Sequence, residues 1–406
     1  MKINAALKKV LPGIFLIGFN IGTGSVTAMI KAGADFGMAM LWALVLSCLF
    51  TFFLIHMFGK FTIASRQTFL QAIRKNVHPS IAIFFLIALG VNVSGSIMGV
   101  MGIAADVLQE WSKEWLEGGI SSLIWASSIT LLIIILFLLG NYGTFKKALS
   151  ILVGLMAVSF IANAIIMFPS LNEIFRGMVP GIPEGNGSSP FFVISGMVGT
   201  TLAPVIFVVR SILVRDEGWD KTQVKTQKTD AIVSAGMMFL ISAAIMASAA
   251  GTLHLQGINL IHTKDMIHIL KPIAGVFAVN IFVTGITAAA ISSQFHNIFV
   301  VPWVLSDYRG EKTSFKSTPV RVIVICMAIL GIAVPLLKAQ PIWVMVASQA
   351  LNAILLPLTV GSIIYLSNSR KIMGDLKAKA THNMIFGVIL LFSLIMSAAG
   401  IYGLII

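Results

Sequence analysis

The feature that most limits how this chain can fold is a succession of apolar runs, each about twenty residues long, filling nearly its whole length. About 20 apolar residues in a helix span the roughly 30 Å hydrocarbon core of a bilayer. Lipid cannot satisfy backbone N–H and C=O groups, so a spanning segment must be a helix or part of a closed barrel, and runs this long select helices. Spans are expected at 11–32, 38–58, 79–105, 121–140, 147–168, 190–213, 230–252, 273–303, 319–337, 341–366 and 383–405. Of the 406 residues only 11% are charged, where soluble domains carry about a quarter. The fold class read from this is an all-α polytopic membrane protein.

The net charge of +13 would suit a nucleic-acid binder if it formed a patch, but it follows the loops instead. With the N-terminus placed in the cytoplasm, 21 of the 28 Lys and Arg fall on the cytoplasmic side and 6 outside, with Arg210 left within a span. That bias orients the chain by the positive-inside rule, and an odd number of spans then leaves the C-terminus outside. The basic character is a topology signal, so the partners expected are the lipid bilayer and a small solute, not nucleic acid. Residues 1–18 resemble a signal peptide in having Lys2, Lys8 and Lys9 ahead of an apolar run, but that run continues to about Ile30, so an uncleaved first span is expected. Cys48 and Cys326 both fall in spans, so no disulfide is expected. Segment 68–76, ending in Arg74 and Lys75, reads as an amphipathic cytoplasmic helix. Segment 170–189, rich in Gly and Pro, reads as irregular.

Two spans are interrupted about 180 residues apart: Phe19-Asn20-Ile21-Gly22-Thr23-Gly24-Ser25 and Gly199-Thr200-Thr201-Leu202-Ala203-Pro204. A break in lipid survives only where it lines a cavity, and matched breaks in two halves of a membrane protein point to a transporter's substrate site. Each break falls in the first helix of a five-helix unit, and five being odd inverts the second unit against the first. The organisation expected is a LeuT-type inverted 5+5 repeat, 1–168 and 190–366, with an eleventh helix at 383–406.

These residues carry a resemblance. Pro12-Gly13 before the first break, Ala32-Gly33-Ala34 with Phe36-Gly37, and Leu41-Trp42-Ala43 resemble the natural-resistance-associated macrophage protein (Nramp) family of divalent-metal transporters. So do Gly199 to Pro204 leading to Arg210-Ser211, Ser348-Gln349-Ala350, and Leu356-Pro357. The resemblance implies metal-ion transport by a secondary carrier in the cell membrane. It also places Gly22, Thr23, Gly24 and Ser25 where metal-carrying members have Asp-Pro-Gly-Asn, and Ala203-Pro204-Val205 where they have Met-Pro-His. Arg210 stands at a second family histidine, and Gln349 is the metal-site residue that matches directly.

The breaks therefore lack the carboxylate and thioether that the family pattern implies. Asp35, Asp106, Asp216, Glu217 and Asp230 all read as lying at span ends or in loops. Substrate-site candidates are Gly22, Thr23, Ser25, Thr200, Thr201, Ala203, Gln349 and Asn352, with Asn20 and carbonyls released near Ile21, Gly22 and Leu202. Gln349 and Asn352 are one turn apart and share a face. Asn92, with Ser94 and Ser96, and Arg210 are candidates for a vestibule or gate; Arg210 reads either as snorkelling to the cytoplasmic interface or as a fixed charge that opposes cations. His254, His262, Asp265 and His268 could gather an incoming ion outside, and His296 could face the pore or pack in the bundle. Three functions stay open: a carrier of an inorganic cation, a carrier of a small polar or anionic solute, and a membrane protein that senses without transporting. No Walker loop, His-Glu-x-x-His or cytosolic domain is present, so neither an enzyme nor a cofactor is expected.

Overall fold

The computed structural model describes residues 22–140, 154–155, 157–184, 188–270 and 278–405. Pro12-Gly13, Phe19 to Ile21, the lysines at 2, 8, 9, 146, 147 and 271, residues 147–153 and 156 of the span expected at 147–168, and the His268 side chain lie outside the described residues. The helices are α1 Thr23–Phe36, α2 Leu41–Ser65, α3 Phe69–Asn76, α4 Pro79–Ser112, α5 Ser122–Leu139, α6 Ala157–Ile166 and α7 Leu171–Gly177. They continue as α8 Pro190–Thr201, α9 Pro204–Asp216, α10 Val224–Thr252, α11 Ala278–Arg309, α12 Thr318–Leu330, α13 Ala333–Leu337, α14 Pro341–Asn368, α15 Arg370–Met373 and α16 Ala380–Ile405. No strand occurs among the described residues. By length and composition nine helical stretches there can cross a membrane, and the bent pair α6–α7 would make a tenth.

Local chemistry sets the helix ends. Proline occupies the first turn of α4, α8, α9, α12 and α14, where its missing N–H costs nothing. α1 ends at Gly37, whose φ of +58° is left-handed and whose N–H bonds to the Gly33 carbonyl at 3.0 Å. Segment 170–189 is not wholly irregular: Ser170 and Glu173 form a reciprocal capping box that starts α7, which turns 117° from α6.

The interrupted helices lie at the centre. Every residue of α1 is buried, and the apolar window of the stretch formed by α8 and α9 is 100% buried. α14 packs on α8, α4 and α16; α10 packs on α1 and α2; α4 packs on α11. Outer helices turn apolar stripes toward lipid instead of polar ones. On α16 the exposed face runs Met384, Val388, Leu391 and Ile395, while Phe386, Ile389, Phe392 and Met396 face inward.

Candidate substrate site

The two breaks differ in form. α8 stops at Thr201, Leu202 and Ala203 are non-helical, and Pro204 restarts the chain as α9. The carbonyl end of α8 and the amide end of α9 thus meet, and their opposite partial charges leave the break close to neutral. In the first break α1 already begins at Thr23, with Gly22 extended as its cap, so Gly24 and Ser25 are helical. The Gly22 carbonyl is not released: it accepts the Val26 N–H at 3.1 Å. Asn20 and Ile21 lie outside the described residues.

Close backbone approach builds the site. A Cβ on Gly199 would overlap the Gln349 carbonyl oxygen of α14, and one on Gly24 would overlap the Met345 methyl, with the Gln349 amide nitrogen at 3.0 Å. Between these contacts lies a cavity of about 50 Å³ walled by Gly22, Gly24, Ser25, Asn92, Ser96, Thr200, Ala203, Ser293, Asn297, Met345, Gln349 and Asn352, with three valines. Of the expected residues, Gly22, Ser25, Thr200, Ala203, Gln349, Asn352 and Asn92 come together here. Asn92 therefore belongs to the central cavity and not to a vestibule. Ser94 does not join it, because residues two apart in a helix face different ways.

The other expected residues go elsewhere. Thr201 is buried, with its hydroxyl bonded back to the Met197 carbonyl at 3.0 Å. Thr23 donates its N–H to Ser293 Oγ at 3.3 Å, while its buried Oγ1 has no hydrogen-bond partner and does not line the cavity. Arg210 does not snorkel. Its side chain is 0% exposed and its Nη1 bonds Asp230 Oδ2 at 2.5 Å, with the guanidinium 5.4 Å from the Trp219 ring. Desolvation explains this: a guanidinium packed in the bundle needs a carboxylate more than a route to water. Asp230, expected at a helix end, is that carboxylate and is itself fully buried. The outer histidines do not converge: His254 Nδ1 lies 3.0 Å from the Ala34 carbonyl, whereas His262 lines a different cavity with Asp106 and Glu110. His296 is buried, with Nδ1 2.7 Å from the Ser292 carbonyl of its own helix.

Three amides of the cavity wall each donate to a protein acceptor. Gln349 Nε2 donates to Ser96 Oγ at 3.2 Å, Asn352 Nδ2 to Gln349 Oε1 at 3.1 Å, and Asn92 Nδ2 to the Ser348 carbonyl at 2.6 Å. The buried Asn352 Oδ1 has no hydrogen-bond partner among the described residues. An acceptor in that state is costly unless a donor or a cation meets it. No group of three or more His, Cys, Asp or Glu suited to a metal occurs among the described residues, so the wall offers neutral oxygens and the Met345 thioether. Ser293, Asn297 and Met345 were not anticipated. Their signal was spacing: Ser293 and Asn297 are four apart, and Met345, Gln349 and Asn352 fall at i, i+4 and i+7 on one face.

A bundle whose central α8–α9 stretch breaks beside a small polar cavity defines an integral membrane carrier of the LeuT-type fold. Solved structures agree on the fold. A manganese transporter of Eremococcus coleocola, in complex with an aromatic bis-isothiourea substituted compound, matches with a TM-score of 0.75 at 18% identity, covering 98% of this chain and 88% of that one. Mhp1, a nucleobase-cation-symport-1 family transporter, matches with a TM-score of 0.62 at 16% identity, covering 97% and 90%. The chain belongs to the family described as natural resistance-associated macrophage protein-like, whose sequence profile matches residues 13–403. Among curated relatives, the divalent metal cation transporter MntH of Yersinia pestis is 24% identical over 365 residues, covering 88% of this chain and 85% of the relative. MntH of Yersinia pseudotuberculosis matches equally.

Proposed function

We propose that the protein is a secondary carrier that moves a divalent metal cation by alternating access, taking the ion with part of its water shell. The observation that carries this reading is the central cavity of about 50 Å³ with a charge-free wall rich in oxygen. One water needs about 10–15 Å³ by this measure, so the space suits an ion with two or three waters. Organic ligands usually occupy pockets of about 300–1,000 Å³, which weighs against a larger solute. The buried Asn352 Oδ1, which meets no donor among the described residues, favours a cation over an anion. Neutral oxygens suit hard cations, and magnesium in particular sheds its water reluctantly. Family membership and the printed descriptions of the relatives as metal transporters support the class of cargo.

In this reading Gln349, Asn352, Asn92, Ser25 and Thr200 hold the ion or its waters, and Gly22 and Ala203 let the backbone approach. The inverted units 1–168 and 190–366 alternate around it, with 383–406 added. In this reading the carrier sits in the cell membrane, and the charge bias of the loops supports an N-terminus in the cytoplasm. Proteoliposomes loaded with an ion indicator test this. Magnesium, and more weakly manganese, should enter in a saturable way that Gln349→Ala abolishes. If magnesium, calcium, manganese and ferrous iron all stay outside monodisperse reconstituted protein, the cation reading fails and the carrier of another solute or the non-transporting sensor takes its place.

A further inference from the structure

α1 and α9 lead away from the central cavity, and each is tied near its far end by a charge cluster, buried at Lys31–Asp35 and with Arg215 28% exposed at the other. Lys31, at the end of the span expected at 11–32, is inside α1, about 12 Å along the helix from Thr23. Its ammonium has three donors and uses all of them: Asp35 Oδ2 at 2.8 Å, Ser188 Oγ at 3.0 Å and the Leu260 carbonyl at 2.8 Å. Asp35 Oδ1 in turn accepts the Leu260 N–H at 2.9 Å. The two side chains are 8% and 0% exposed, so this end of α1 is tied to the segment before α8 and the segment after α10.

Near the end of α9, about 16 Å along the helix from Pro204, Arg215 Nη1 bonds Asp307 Oδ1 of α11 at 2.6 Å. Asp307 also accepts from Thr68 Oγ1 at 2.7 Å and from Gln71 Nε2 at 3.2 Å, and its side chain is 1% exposed. Ser211 of α9 accepts the Phe69 N–H at 3.0 Å, and Arg74 donates to the Tyr308 carbonyl at 2.7 Å. This end of α9 is thus tied to α3 and α11. Lys31 borders a cavity of about 350 Å³, and Arg215 and Asp307 border one of about 420 Å³; neither shares a lining residue with the central cavity.

We propose that the Lys31–Asp35 cluster on α1 and the Arg215–Asp307 pair are the two gates of the transport cycle, the first held shut by the bonds of Lys31 and Asp35 to Leu260 and Ser188, the second by the bonds of Asp307 to α9 and α3. Opening the first breaks the buried bonds of α1 to Leu260 and Ser188, and opening the second takes the Arg215 cation from the 1% exposed Asp307 carboxylate. Both sets of bonds are made in this structure. The loop charge bias assigns the Lys31 gate to the outside and the Arg215 gate to the cytoplasm. Lys31 and Asp35 thereby gain a role that their distance from the cavity hides.

The proposal rests on the carrier reading, so its test reads accessibility and not uptake. With Cys48 and Cys326 replaced by serine, Asn297→Cys reports on the central cavity, using a membrane-impermeant methanethiosulfonate added to either face of reconstituted vesicles. Labelling should be slow from both faces. Lys31→Met should speed it about tenfold from the outer face alone, and Arg215→Met with Asp307→Asn about tenfold from the cytoplasmic face alone. If Lys31→Met does not fold, Asp35→Asn keeps the oxygen that accepts from Leu260 and carries the same expectation. Folded variants that label alike from both faces, or no faster than the parent, overturn the gates. Face-specific labelling without uptake of any ion would leave the gates standing and remove the metal carrier.

Discussion

At the residue scale, the cavity separates side chains that look equivalent in sequence. Thr23 and Gln349 both read as ligands beside a break, yet only Gln349 is in the wall. Thr23→Val removes a buried hydroxyl that bonds nothing and keeps the β-branched shape, so uptake should be within about twofold of the parent and stability unchanged or slightly raised. Gln349→Ala removes an amide tied to both Ser96 and Asn352, and uptake should fall by an order of magnitude or more, measured as initial rates in proteoliposomes. The two glycines make a second pair. Gly24→Ala meets the end of a flexible methionine, whereas Gly199→Ala meets the backbone carbonyl of Gln349, which cannot turn aside. Overpacking costs about 1–3 kcal/mol, and Gly199→Ala should lie at the top of that range, with the lower melting temperature of the two variants. The polar character of Gln349 and Asn352 was legible in the sequence because amides in a span must face the protein interior. Met345 was not, because a methionine in a span has the same signature whether it packs in the core or borders a cavity.

At the scale of elements, span positions were readable from hydropathy, and the break at Leu202–Ala203 from the Thr-Thr-Leu-Ala-Pro sequence. The short helix α7 was missed although its cause was present, since Ser170 and Glu173 stand at capping-box spacing inside a Gly- and Pro-rich loop. The partner of Arg210 was missed for a different reason. Asp230 follows a basic segment and so resembles a loop residue, while the structure runs α10 from Val224 and carries Asp230 into the bundle against α9. No local pattern announces a pairing across twenty residues. The pair itself is testable: Arg210→Met takes the guanidinium from a fully buried carboxylate and should cost about 3–5 kcal/mol, whereas Arg210→Met with Asp230→Leu should restore most of that loss. Thermal unfolding in detergent as a double-mutant cycle reads the coupling, and equal losses in the single and double variants would mean that the pair does not hold α9 to α10.

At the scale of the whole molecule, charge that is absent from the cavity must be supplied by the driving force. Among the described residues the wall holds no carboxylate and no histidine, so cation binding is expected neither to release nor to take up a proton there. The ion's two positive charges then cross the bilayer uncompensated. Each charge is worth about 2.3 kcal/mol per 100 mV, so a divalent ion gains about 4.6 kcal/mol at an inside-negative potential of about 100 mV. Uptake should rise steeply as valinomycin and a potassium gradient make the vesicle interior negative, and reversing the gradient should suppress it. The lumenal pH should not move during uptake, and the rate should stay level between about pH 5 and 8, because no group in the wall titrates in that interval. A pH-sensitive dye beside the ion indicator decides the matter. Proton movement in step with the ion would place a titratable group on the path, with His296 and Asp106 the first to substitute, whereas uptake that ignores membrane potential would mean that an anion or a counter-cation travels with the cargo.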